Sequence, residues 1–277
     1  MQLTPRYDSS PVLRVDTPFA DPAIPLLRQR RRLAALLDDL SPSDWVRPSR
    51  CDGWTAKDVI AHLVGTNRFW TYSIKSGLEG NPTQLLATFD PVATPAQMVE
   101  GTRAQEAAAV LDELVETTEE MAAALAGVEG EAWAITAEAP PGHVSLRAVV
   151  LHALWDSWIH ERDVLIPLGD DTVEEADEVV GCLTYSAAIG PALLAAGGST
   201  RPGSLAIDAT EPSLQLTVEL GATAVVRAGA GDAGVPCISG RAVDLVEGLS
   251  FRAPLDHGLG TEHEWMLEGL AEVFDRS

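Results

Sequence analysis

LHALWDSWIHERDVL, residues 151–165, sets His152, Asp156 and His160 at every fourth position of a segment otherwise rich in Leu, Val, Ile and Trp. The apolar spacing predicts a helix made for burial. Side chains four apart lie on one side of such a helix, ~6 Å apart along its axis. Buried ionisable groups are costly unless they are paired or hold an ion, so the seam is read as turned inward against other helices. His152 and His160 are ~12 Å apart along the axis, too far for one ion whose bonds to nitrogen or oxygen are ~2.0–2.2 Å. Only His152 with Asp156, or Asp156 with His160, can serve a single site.

Working outward, Ser145 is a cap for this helix and Gly169 a stop. Upstream, PLLRQRRRLAALLDDL (25–40) carries an apolar stripe through Leu26, Leu27, Leu33, Leu36 and Leu37. A second helix opens at Thr55, where Asp58 three residues on makes a capping-box-like start, and runs to about Lys75. Residues 96–126 predict the longest helix, with a strongly acidic outer face. AWAITAEAPPGHVSL reads as a loop, and Thr172 to Ala196 as a fifth, packing helix. Long amphipathic helices in series, none able to bury its stripe alone, argue for a bundle. After AAGGSTRPGS (195–204) the pattern changes. SLAIDAT, SLQLTVEL and TAVVRAG predict strands, and ISGRAVDLVEGLSF and TEHEWMLEGLAEVFDR predict helices. The expected organisation is an irregular leader over residues 1–22, a helical bundle over 23–198, and a small α+β domain over 199–277.

Composition narrows the partners. The 277 residues hold 41 acidic against 19 basic side chains, a formal charge of −22, which repels nucleic acid and anionic membrane surfaces. The first 25 residues lack an apolar run of signal-peptide length, and no later segment is read as approaching the ~20 apolar residues of a membrane span. A cytoplasmic protein is expected, with no nucleic-acid or membrane partner. Cys51, Cys182 and Cys237 are odd in number with no CxxC pair, and read as three reduced structural thiols. Seventeen arginines against two lysines hint at a GC-rich source.

A helical Asp-x-x-x-His pair supplies two metal ligands, and a third has to come from a facing helix. His62, in VIAHLV beside the Val59 and Leu63 stripe, is the candidate. Two imidazoles and a carboxylate leave an open position, as catalytic zinc requires. A D-x-x-x-H pair is also a common surface interaction, and a lone histidine a common core residue.

The segment DWVRPSRCDGWTAKDVIAHL (44–63), with its Pro, Gly-Trp-Thr turn, Asp and His-Leu pair, resembles the DinB-like bundle family. HALWDSWIHERDVLIPLG (152–169) resembles that family's second ligand segment. The C-terminal part, through CISGRAVDLVEGLSFR (237–252), is more loosely similar to the sterol-carrier-like domain that follows the bundle in the mycothiol-dependent maleylpyruvate isomerase branch. The resemblance implies a two-domain α + α/β chain: an N-terminal DinB-like four-helix bundle followed by a small α+β sterol-carrier-like domain. It implies His62, Asp156 and His160 as ligands of zinc or another divalent metal, with Asp156 where the best-known isomerases have Glu.

Mycothiol, the low-molecular-weight thiol of actinobacteria, is then the expected cosubstrate. A small electrophile is the other partner, in an isomerase or thiol transferase. Arg252 is placed where family members bring an arginine from the second domain toward the metal, with Arg241 the runner-up. Asp163 is a candidate to orient the His160 ring, a salt bridge to Arg162 or solvent being the alternatives. His152 is read as a core residue or one that supports a ligand side chain, and His143, His257 and His263 as loop or surface. Two other functions fit less of the pattern: a hydrolase using activated water, and a non-catalytic binding module.

Overall fold

The structure is a computed structural model that describes residues 4–8, 10–17, 19 and 21–273. It is a mixed, two-domain architecture, helical in its N-terminal part and closed by a C-terminal sheet. The helical part is built from α1 (Ala23–Asp38), α2 (Ala56–Leu78), α3 (Ala93–Thr102), α4 (Ala107–Leu125), α5 (Leu146–Leu168) and α6 (Ala176–Ala196). Thr55 caps α2 with a complete capping box, its side chain accepting from the Asp58 N–H while the Asp58 carboxylate accepts from the Thr55 N–H. Ser145 caps α5, and Gly169 ends it in the left-handed conformation, where a side chain is disfavoured. The opening stretch therefore lies within one 23-residue helix.

Five expectations change, four of them in the placement of elements. The single helix over 96–126 is broken at Arg103 to Glu106. Lys57 Nζ donates to the carbonyls of Arg103 and Gln105 at 2.9 Å each, and Thr102 Oγ1 donates to the Val99 carbonyl at 2.8 Å. These bonds compete with helical pairing after Gly101. Within the expected loop, β2 (Thr136–Ala139) and β3 (Gly142–Ser145) pair as a hairpin. ISGRAVDLVEGLSF is a strand and then a helix, β7 (Cys237–Arg241) followed by α7 (Ala242–Leu249). The last helix, α8, is described over Thr261–Val273, and the final residues of the predicted segment lie outside the described ones.

The fourth change concerns the irregular leader. Leu13–Asp16 form strand β1, alternately buried and exposed. It pairs in parallel with β6 (Ala224–Ala228), the partner of β5 (Leu214–Leu220), which pairs in turn with β4 (Gly203–Thr210). The sheet order is β1-β6-β5-β4-β7. Four residues are too few to show a period, and their hydrogen-bonding partners lie some 200 positions away, so the prolines dominate the local signal.

Helix α6 joins the two parts. It is long and apolar enough to cross a membrane by length and composition, contrary to the expectation that no segment is, but 83% of its most apolar window is buried inside the protein. One continuous core runs from Trp70, Leu151 and Trp158 of the bundle through Leu183 and Ile189 of α6 to Ile207, Val218 and Val226 of the sheet. A second core, with Leu33, Leu37, Ile60, Leu63, Leu114 and Val164, fills the other end of the bundle.

Candidate metal centre

Helices α2 and α5 bring His62, Asp156 and His160 together. Asp156 Oδ1 lies 3.6 Å from His62 Nε2 and 3.5 Å from His160 Nε2, and the two rings stand edge to face with centroids 4.9 Å apart. One ligand atom from each of the three residues falls within 4.8 Å of the others. A tetrahedral ion with ~2.0–2.2 Å bonds separates its ligand atoms by about 3.3–3.6 Å, which the two separations from Asp156 Oδ1 match, so the donor types and spacing suit a divalent ion. The side chains of His62, Asp156 and His160 are 15%, 11% and 11% exposed, so each keeps a little contact with solvent.

The surrounding shell orients these groups. Thr66, one turn after His62, donates to Asp156 Oδ2 at 3.2 Å and leaves Oδ1 for the imidazoles. His160 Nδ1 is 2.9 Å from Asp163 Oδ2, which directs Nε2 toward Asp156, the arrangement that fixes a ligand histidine's orientation. Asp163 is wholly buried and forked by two guanidiniums: Arg252 Nε at 3.0 and 3.1 Å with Nη2 at 3.0 Å, and Arg50 Nε at 2.9 Å. Its partners are therefore His160, Arg50, Arg252 and the Cys51 thiol. Arg162 pairs with Glu247 instead. Trp54 packs on His62 with ring centroids 5.4 Å apart.

The electrostatics follow from this packing. Burial favours the neutral carboxyl, but His62 and His160 hold Asp156 well below the usual carboxylate range. His160 and Arg252 do the same for Asp163 against its burial. Burial acts to lower the His160 pKa, while its bonds to Asp163 and Cys51 overcome that and push it up to about 10. Burial lowers His62, with Asp156 partly opposing.

The other expected residues are distributed as follows. Arg252 sits behind His160, with Nη2 3.8 Å from Cys51 Sγ. Arg241 is on the surface, paired with Glu174, Glu211 and Asp244. His152 is core, bonded through Nδ1 to the Tyr185 hydroxyl and packed against Trp70 and Trp155. His143, expected on a loop or at the surface, is buried in β3 and bonds the Thr83 carbonyl at 3.0 Å.

Sequence reasoning missed Cys51, read as a structural thiol. Its sulfur donates to Asp163 Oδ2 at 3.3 Å and lies 3.7 Å from His160 Nδ1. It also missed Thr66 and Arg30. Thr66 had a signal, four residues from His62 on one helix face. So did Arg30, the one of the four arginines between Leu26 and Leu33 that falls at the helical spacing of Leu26, Leu33 and Leu37.

The family model of the mycothiol maleylpyruvate isomerase N-terminal domain matches residues 26–165, just over half of the chain. The chain belongs to that family. Membership in the mycothiol maleylpyruvate isomerase family places it among enzymes, and the matched span includes all three residues of the candidate centre. Two solved structures are similar: a mycothiol-dependent maleylpyruvate isomerase at 16% identity and a histidine-to-alanine mutant of such an enzyme at 13%. Each likeness covers 85% of this chain and 90% of the other, with a TM-score of 0.59, and shows that the fold is shared over both parts. No curated protein matches this member of the family by sequence.

Proposed function

We propose that the protein is a metal- and mycothiol-dependent enzyme of the maleylpyruvate isomerase type, acting on a small electrophilic substrate. The observation that carries this reading is the convergence of His62, Asp156 and His160 from two helices at metal-ligand separations, inside the segment that defines the family. His62 Nε2, Asp156 Oδ1 and His160 Nε2 would hold zinc or another divalent ion. That ion would supply a Lewis-acidic position at which a thiol is held as its thiolate.

The chain's own residues do the rest. Asp163 keeps His160 turned so that Nε2 is presented, and the place of the proton on Nε2 is the place the ion would take. Thr66 holds Asp156 in register. Arg252, with Arg50 beside it, puts fixed positive charge at the edge of the centre, which draws an anionic substrate against the −22 charge of the whole chain. The thiolate would add to one carbon of a C=C bond conjugated to a carbonyl, forming a C–S bond. The π bond breaks as its electron pair moves onto the carbonyl oxygen as an enolate, which frees rotation about the former double bond. Rotation followed by cleavage of that bond returns the thiol and gives cis–trans isomerisation, whereas a persistent bond makes the protein a thiol transferase.

The test is metal content together with mycothiol consumption and isomer interconversion across a panel of electrophilic enoic acids, for native protein and His160→Ala. The expected result is one divalent ion per chain and at least a roughly hundredfold loss of turnover in the variant, the scale of removing a group essential to the chemical step. Equal turnover by both proteins would remove the proposal. Hydrolysis without thiol dependence would select activated water instead, and absence of bound metal would leave a binding module.

A further inference from the structure

Arg30 lies on α1 in the apolar stripe of Leu26, Leu33 and Leu37, and none of its surface reaches solvent. Its Nη2 makes one long contact, 3.5 Å to the Ala153 carbonyl, while Nε and Nη1 are buried with no hydrogen-bond partner among the described residues. Ala153 begins the turn of α5 that leads to Asp156, which sets the guanidinium near the level of the candidate centre. Two carboxylates reach it electrostatically, Asp156 and Glu161. Glu161 is held by Gln29 at 2.6 Å and Arg32 at 3.1 Å and Asp156 by Thr66, His62 and His160, so Arg30 acts on both through space, and Asp156 is the one of the two that belongs to the candidate centre. Burial lowers the Arg30 pKa to about 10, and the group stays charged at neutral pH. His62 feels the same positive charge.

We infer that Arg30 is a positioning residue of the candidate metal centre, a buried fixed charge that restrains affinity for the dication and strengthens the hold on an anionic ligand there. The inference rests on the metal reading above. A guanidinium with two unmade hydrogen bonds destabilises the interior. Toward a dication its charge is repulsive, and toward a thiolate or carboxylate it is attractive, at a depth where screening is weak. Arg50 and Arg252 gather on the Asp163 side, so Arg30 places positive charge on a second, inner side of the same cluster.

The experiment uses the full chain as native protein, Arg30→Met, Arg30→Gln and Arg30→Lys, with circular dichroism to establish folding. Metal-free protein is titrated with zinc against a chromophoric chelator at pH 7, and the zinc-loaded protein is then titrated with mercaptoacetate. The expected result is zinc binding at least roughly tenfold tighter in the Met and Gln variants, near-native binding in the Lys variant, and weaker mercaptoacetate binding wherever the charge is removed. A structural role alone lowers stability and zinc affinity together, so weaker or equal zinc binding by the neutral variants overturns the inference, as does unchanged mercaptoacetate binding. If Arg30→Met does not fold, Arg30→Gln carries the comparison. Equal zinc affinities in all four proteins sink this inference alone, whereas no zinc bound by any of them overturns the metal reading and this one with it.

Discussion

His152 and His160 share one helix face two turns apart, and their surroundings separate them. His160 has a carboxylate on each side, Asp163 at Nδ1 and Asp156 at Nε2, whereas His152 is boxed by Trp70, Trp155 and Tyr185. The spacing alone excluded one ion bridging both, but left open which of them joins Asp156. Only side-chain neighbours from α2 and α6 decide that. Burial, with Asp156 partly opposing, lowers the His152 pKa to about 4, against an ordinary value near 6.5 in the unfolded chain. Above pH 6.5 neither state carries the proton. Between pH 6.5 and 4 the unfolded chain binds it and the folded chain does not, so stability falls with falling pH, by about 2 kcal/mol at pH 5 from this residue. Urea midpoints of metal-free native protein and His152→Gln at pH 7 and pH 5 check this: the native protein should lose more. An equal loss in both would show that another group sets the slope.

Among the elements, caps were the most legible feature. Thr55 with Asp58, Ser145 and Gly169 each form a helix end that needs nothing beyond a few adjacent residues. The capping box also fixes the start of α2 two turns before His62. Thr55→Ala should lower stability by about 1 kcal/mol, read as a drop in the urea midpoint at unchanged slope, and an unmoved midpoint would mean that the box contributes nothing net. The elements misjudged were those whose ends are set from elsewhere. Lys57 draws the carbonyls of Arg103 and Gln105 out of the expected long helix, and β1 exists because β6 offers it an edge. The β7–α7 segment misled because Ile238, Ala242, Leu245 and Leu249 fit one helical stripe as well as they fit a strand followed by a helix.

Over the whole molecule, the bundle and the sheet share one apolar core through α6. Charged bonds add to it, with Glu247 of α7 accepting from Arg162 at 2.6 Å and pairing with Arg50 at 2.9 Å. Calorimetry should therefore show one unfolding transition with equal calorimetric and van't Hoff enthalpies. Two resolved transitions would mean that the parts unfold separately despite the common core. The sequence by itself determined the helices around both ligand segments and the change to a strand-rich C-terminal part, because periodicity and caps are local; it left open which histidine joins Asp156, and the choice of His62, Asp156, His160 and Arg252 as candidates rested on the likeness of their segments to the family's motifs. Tertiary structure alone decided that His62 meets Asp156 and His160, that Asp163 gathers Arg50 and Arg252 behind the ring, and that Cys51 and Arg30 border the cluster. Those placements depend on how separate helices pack, and contact energies between residues a hundred positions apart leave no periodic trace in the chain.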